Sequence, residues 1–260
     1  MVVLALGACA SSQDLRSDAA PRADADPDAP DAGGGDDTPD APPIEPPDAR
    51  ADAPPGAYRH TIAVDGADDF VAGEVFSTTS APAYAARVTW DDDFVYVGYR
   101  GPDLDPTALD TDAKWLFVYV DVDPGTATGA TTSLTYNTQA AAFPAGFGAE
   151  LYARWKCNAT FSSLEAYAGG AWTTAAAALG TGHAGDFVEL AIPRAAFGGA
   201  TQVGVVAWMI NEKPGFEGSF AGLYAESFTD GYATSLPVTR YLAIDFESAE
   251  NPNDPANMAP

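Results

Sequence analysis

Among its 260 residues the chain has only two cysteines, Cys9 and Cys157, and two histidines, His60 and His183. The cysteines lie in stretches of quite different character, so no disulfide between them is expected. Neither histidine is matched with a Ser or Cys in a nucleophile motif, which leaves no triad and no histidine-based metal cluster to recognise. Basic residues are also scarce, with Lys and Arg totalling 12 against 37 Asp and Glu for a formal net charge of −25. With no basic cluster, the charge argues against nucleic acid and disfavours anionic lipid headgroups as partners, and cations and neutral molecules such as sugars remain. No helical period is convincing: the longest candidate, residues 175–179, is brief and is followed by Gly180 and Gly182. No apolar run reaches the roughly 18 residues that a spanning helix requires.

At the amino end, residues 1–8 (MVVLALGA) form an apolar segment closing on small residues just before Cys9, the pattern of a secretory signal and cleavage site. Residues 6–9, Leu-Gly-Ala-Cys, resemble the lipobox of bacterial lipoproteins. That resemblance implies a lipidated Cys9 holding the mature chain to a membrane, and Ala10, where an Asp often marks inner-membrane retention, implies the outer membrane or cell surface. The absence of a leading Lys or Arg implies that the encoded start lies inside the true signal. Residues 11–56 follow with 12 acids, 3 Arg, 10 Pro and no aromatic residue. Such a composition cannot bury enough apolar area to offset chain entropy, so a disordered, extended tether is expected.

Aromatic residues begin at Tyr58, and from there the chain alternates short apolar runs with Gly, Pro, Asp and Asn. Strands are predicted at residues 61–64, 83–90, 94–99, 114–122, 133–137, 150–157, 164–167, 171–174, 187–192, 203–211 and 240–246. Asp91-Asp92-Asp93 forms a tight acidic hairpin turn, and Gly169-Gly170 joins another pair of strands. Many strands, close turns and no helical period indicate an all-β antiparallel β-sandwich of the immunoglobulin-like or jelly-roll, two-sheet type behind the disordered tether. The expected plan is a signal remnant at 1–8, lipidated Cys and linker at 9–56, the sandwich at 57–247 and a flexible tail at 248–260.

Four segments occur in a characteristic order: Ala-Val-Asp-Gly-Ala-Asp-Asp-Phe at 63–70, residues 86–97 around Val-Thr-Trp-Asp-Asp-Asp-Phe, Leu-Phe-Val-Tyr-Val-Asp-Val-Asp at 116–123, and Val-Glu-Leu-Ala-Ile-Pro at 188–193. Together they resemble the family-nine carbohydrate-binding modules and their DOMON-like relatives over nearly all of residues 61–246. The resemblance implies a β-sandwich and, less strongly, sugar recognition. Where the best-known sugar-binding members carry a Trp ahead of the central strand and a Glu within it, this chain has Thr111 and Phe117, and Phe70 stands in place of a Trp. Some DOMON relatives hold haem through Met and His, and Met209 and His183 are the pair available for that here.

The candidate chemistry centres on residues 114–125. On one face of this strand lie Leu116, Val118, Val120 and Val122, and on the other Trp115, Phe117, Tyr119, Asp121 and Asp123. An exposed row of Trp115, Phe117 and Tyr119 makes a stacking platform for sugar rings, while burial makes it core. Asp121 and Asp123, with Thr126 and Thr128 around a Gly turn, offer oxygens for calcium, or simply cap backbone amides. The loop at residues 210–222, with Phe216 as a ligand-binding residue, and the loop at 102–114 are the expected rim of any site. Glu189, Glu212 and Glu217 are the glutamates beside apolar strands from which a hydrolase pair would come, with Glu189 expected to face solvent. Cys157 is expected to be a buried free thiol. These features favour non-catalytic binding of a neutral carbohydrate, with a structural or protein-interaction module as the alternative, and a haem protein or glycoside hydrolase behind both.

Overall fold

The computed structural model describes residues 56–126 and 128–260; the expected signal, Cys9 and nearly all of the linker lie outside the described residues. The strands are β1 (Val75–Ser77), β2 (Ala85–Trp90), β3 (Phe94–Arg100), β4 (Lys114–Asp121), β5 (Ala141–Ala142), β6 (Leu151–Lys156), β7 (Ser162–Ala168) and β8 (Ala171–Thr174). They continue with β9 (Gly180–Ala184), β10 (Phe187–Pro193), β11 (Gln202–Asn211), β12 (Gly218–Phe220), β13 (Leu236–Pro237), β14 (Tyr241–Asp245) and β15 (Met258–Ala259). One sheet has the order β1-β2-β3-β10-β9, and the larger has β15-β14-β11-β4-β6-β7-β8 with β12 also on β11. Every pairing in both sheets is antiparallel, as the sequence pattern predicts; a separate two-stranded ribbon of β5 and β13 is parallel.

The main interior lies between the two sheets and takes Leu116, Val118 and Val120 from β4. The opposite face of β4 is buried as well. Phe117, Tyr119 and, nearly so, Trp115 are enclosed with Tyr152 of β6 and Trp208 of β11 beneath a layer of loops carrying Phe143, Phe147, Leu236 and Val238. Tyr119 stacks between neighbours, its ring 4.3 Å from Tyr152 and 5.3 Å from Trp208 with interplanar angles of 8° and 12°. All eight residues of β4 are consequently buried. The open aromatic platform allowed by the alternation is therefore absent: loops that show no periodicity of their own cover these rings.

Three further expectations change. Glu189 does not face solvent; it is fully buried, and its Oε1 accepts the backbone N–H of Asp65 at 2.6 Å and of Gly66 at 2.5 Å. It thereby pins residues 61–66, which form no strand although one is predicted at 61–64, across the smaller sheet, where Ile62 packs on Tyr96 and Ala191. His183 lies on β9 rather than in a loop, and its Nε2 is within hydrogen-bond distance of the Leu104 and Gly185 carbonyl oxygens. Finally, residues 248–260 are not a loose tail, because Met258 pairs with Leu242 of β14 and the Asn253 side chain donates to the carbonyls of Ala72 and Val75. Cys157 is buried and free, as expected, and burial pushes its thiol pKa upward.

Truncating a ring in the second, loop-covered interior leaves a large cavity in close-packed surroundings. Phe117→Ala is expected to cost about 3–5 kcal/mol in chemical denaturation; a loss below about 1 kcal/mol would mean that the row is not enclosed.

Candidate functional site

With both faces of the larger sheet covered, the ends of the sandwich are where side chains of several strands and loops converge on solvent. At the end where β4 begins and β11 finishes there is a groove of ≈ 380 Å³. Tyr84, Asp103 and Lys114 line one part of it, and Asn211, Phe216, Glu217, Ser219 and Phe220 line the rest. The two loops that the sequence marks as a rim, before β4 and after β11, thus meet in one site. The Asp103 carboxylate accepts from the Tyr84 hydroxyl and sits 3.2 Å from Lys114 Nζ. Desolvation, reinforced by the bond to Asp103, pushes the Tyr84 hydroxyl pKa upward, so this phenol remains a donor.

The chain has only three lysines, and all three lie at this end. Lys114 opens β4, Lys156 closes the neighbouring β6, and Lys213 follows β11. Each is matched with a carboxylate: Lys114 with Asp103, Lys156 with Glu212 at 3.9 Å, and Lys213 with Asp110 at 2.5 Å. Large exposed apolar side chains collect here too. Phe216 is 67% exposed, with Lys213 Nζ 5.2 Å from its ring centre, and Leu109, 83% exposed, adjoins Asp110. Tyr232, 54% exposed, follows Gly231, which bridges to Ser219 of the groove. Among the described residues, non-glycine positions with positive φ are Asp110, Asn137, Thr138, Ala159 and Ala221. The first four lie in loops at this end, and Ala221 follows Phe220. Such conformations persist only where the surroundings over-determine them, and they concentrate at sites.

Of the side chains that the sequence singles out for ligand contact, Phe216 is in the groove. Trp115, Phe117 and Tyr119 are not, because they point to the covered face of the sheet. Of the three glutamates, Glu217 lines the groove, Glu212 pairs with Lys156 and Glu189 is internal. Met209 is fully buried in the main interior. Tyr84 lies outside the rim expected from the sequence, whereas Asp103 and Lys114 fall within its 102–114 loop without having been singled out as contacts. Lys114, the lone charge heading an apolar strand, was the available signal.

Asp121 and Asp123 stand at the other end of β4, seven residues from Lys114 and hence roughly 23 Å away. Glu150, not anticipated from the sequence, joins them, and ligand oxygens of the three lie within 4.8 Å of one another. The all-oxygen donor set suits a hard cation such as calcium. The same oxygens also serve the backbone: Asp121 accepts from Asp123 and Gly148 amides at 2.9 and 2.8 Å, and Glu150 from the Val122 amide at 3.0 Å. Burial raises the pKa of Asp121 and of Glu150, and neighbouring negative charges add to the rise in both.

No family model matches the chain, and no curated protein matches it. Among solved structures it is similar to a carbohydrate binding module family 9 (CBM9) from Caldicellulosiruptor kristjanssonii in complex with cellotriose. The identity is 14% with a TM-score of 0.37, over 70% of this chain and 92% of that one.

A carboxylate with a raised folded-state pKa costs stability when ionised, and that cost disappears as pH falls through the raised value. Glu150→Gln is therefore expected to keep or raise the melting temperature at neutral pH, the difference closing as the solution is acidified. Lower stability at neutral pH would contradict the desolvation account. If an ion binds here, calcium will raise the melting temperature of the wild type and not of this variant.

Proposed function

We propose that the chain is a non-catalytic carbohydrate-binding module whose ligand, a neutral sugar chain in the simplest case, lies in the groove at the Phe216 end. The observation that carries this reading is the meeting of an exposed ring with paired ammonium and carboxylate groups in one open groove. Sugars offer an apolar C–H face for stacking and a rim of hydroxyls that need both donors and acceptors. Phe216 supplies the first need. Asn211, Lys114 and Asp103 supply the second, and the internal pairing of Lys114 with Asp103 makes this pair suited to neutral hydroxyls.

The point of chain entry supports display on a surface. Tyr58 packs on Trp90 and the His60 amide donates to the Trp90 carbonyl, at the end of β2 remote from Tyr84 and the groove. In this reading the chain is held to a bacterial outer membrane through a tether anchored at Cys9. Any calcium at Asp121, Asp123 and Glu150 would sit too far from the groove to touch the sugar and would serve the fold. One observation favours a second reading, in which the module binds a protein: Leu109 and Tyr232 add apolar surface at the same rim.

Because Phe216 is mostly exposed, Phe216→Ala is expected to leave the melting temperature nearly unchanged while weakening retention on insoluble glycan at least about tenfold, ~1.4 kcal/mol. Wild-type protein that fails to bind across a broad glycan array, while binding a protein partner through the same face, would replace this reading with the second one.

A further inference from the structure

Resting on the carbohydrate reading, the charges around the groove narrow the class of saccharide. Asp103 is balanced by Lys114 and also accepts from Tyr84, and Lys213 is taken up by Asp110. Glu217 differs from these. It is a half-buried carboxylate lining the groove, and its Oε2 accepts the Gly215 amide at 2.9 Å. Among the described residues it forms no ion pair with a Lys, Arg or His. The groove therefore carries one carboxylate in excess, partly withdrawn from water, next to the exposed Phe216 ring. A carboxylate beside an aromatic face is a setting for an ammonium group, through a charge-assisted hydrogen bond and attraction to the ring. Lys213 already places an ammonium against that ring, at 5.2 Å from its centre. The formal charge of −25 draws cations toward the molecule and repels anions.

We propose that the groove is built for a saccharide bearing a protonated amine, a glucosamine-type unit whose ammonium lies on Glu217 and whose ring face lies on Phe216, and that uronate-bearing chains are rejected. The test is calorimetry on the full chain at mildly acidic pH, where the amine is charged, with oligomers of equal length made of glucosamine, N-acetylglucosamine, glucose or galacturonate. The glucosamine oligomer is expected to bind roughly tenfold tighter than the glucose oligomer, with the advantage shrinking in high salt and absent for the acetylated oligomer. Glu217→Gln is expected to abolish that preference, and Phe216→Ala to weaken binding of both oligomers at least about tenfold. A glucose oligomer that binds as well as or better than the glucosamine oligomer overturns this inference and leaves the carbohydrate reading standing. A preference that survives Glu217→Gln, or amino-sugar binding left unweakened by Phe216→Ala, overturns it as diffuse attraction to an acidic protein. Absence of binding by every oligomer overturns the inference, and failure across the broad glycan array as well overturns the reading it rests on.

Discussion

The enclosure of β4 on both faces is the constraint from which the rest of the molecule follows. An antiparallel sheet commonly leaves one face to water, and here that face would carry Trp115, Phe117, Tyr119, Tyr152 and Trp208. So large an aromatic surface is costly to hydrate, and the loops around β5 and β13 close over it. The consequence is a three-layer body in which the broad surfaces of the larger sheet are spent on stability. At the ends, where strands stop, loops bring rings and charges to solvent, which is where the proposed recognition falls.

The same division explains the four segments that resemble the family-nine modules. Three of them meet in the smaller sheet: residues 94–97 pair with residues 190–193, and the carboxylate in Val-Glu-Leu-Ala-Ile-Pro accepts the amides of the Asp65-Gly66 turn. The turn around Asp91 within the second segment closes on itself, since Asp91 accepts from the amides of Asp93 and Phe94 and from the Tyr96 hydroxyl. These signposts hold the sandwich together and lie outside the groove. A sequence can therefore keep them while its groove residues change, and a resemblance carried by them speaks to fold before ligand.

That is also why the fold was more legible than the site. Apolar alternation and turn chemistry located the long strands, including β2, β3, β4, β10 and β11, to within about two residues. Short or glycine-rich strands escaped. β9 looks like a loop because Gly180 and Gly182 carry no side-chain pattern, and space at Gly182 is needed where Glu189 and the Asp65-Gly66 turn come together. Period two placed Trp115, Phe117 and Tyr119 on one face but carried no information on what covers it, since Phe143 and Phe147 come from irregular loops. Phe216 and the two rim loops were legible from loop chemistry. Tyr84 reaches the groove only through tertiary packing, and Glu150 reaches the aspartates through the pairing of β4 with β6.

The central claim is that ligand contact belongs to the end of the sandwich around Phe216 and not to its faces. Backbone amide shift mapping by NMR, with a soluble oligosaccharide titrated into the intact chain, tests it most directly. Perturbations are expected to concentrate in the loops before β4 and after β11. Shifts centred on the outer face of β6, on the far end around Asp121, or on no coherent surface at all would contradict it.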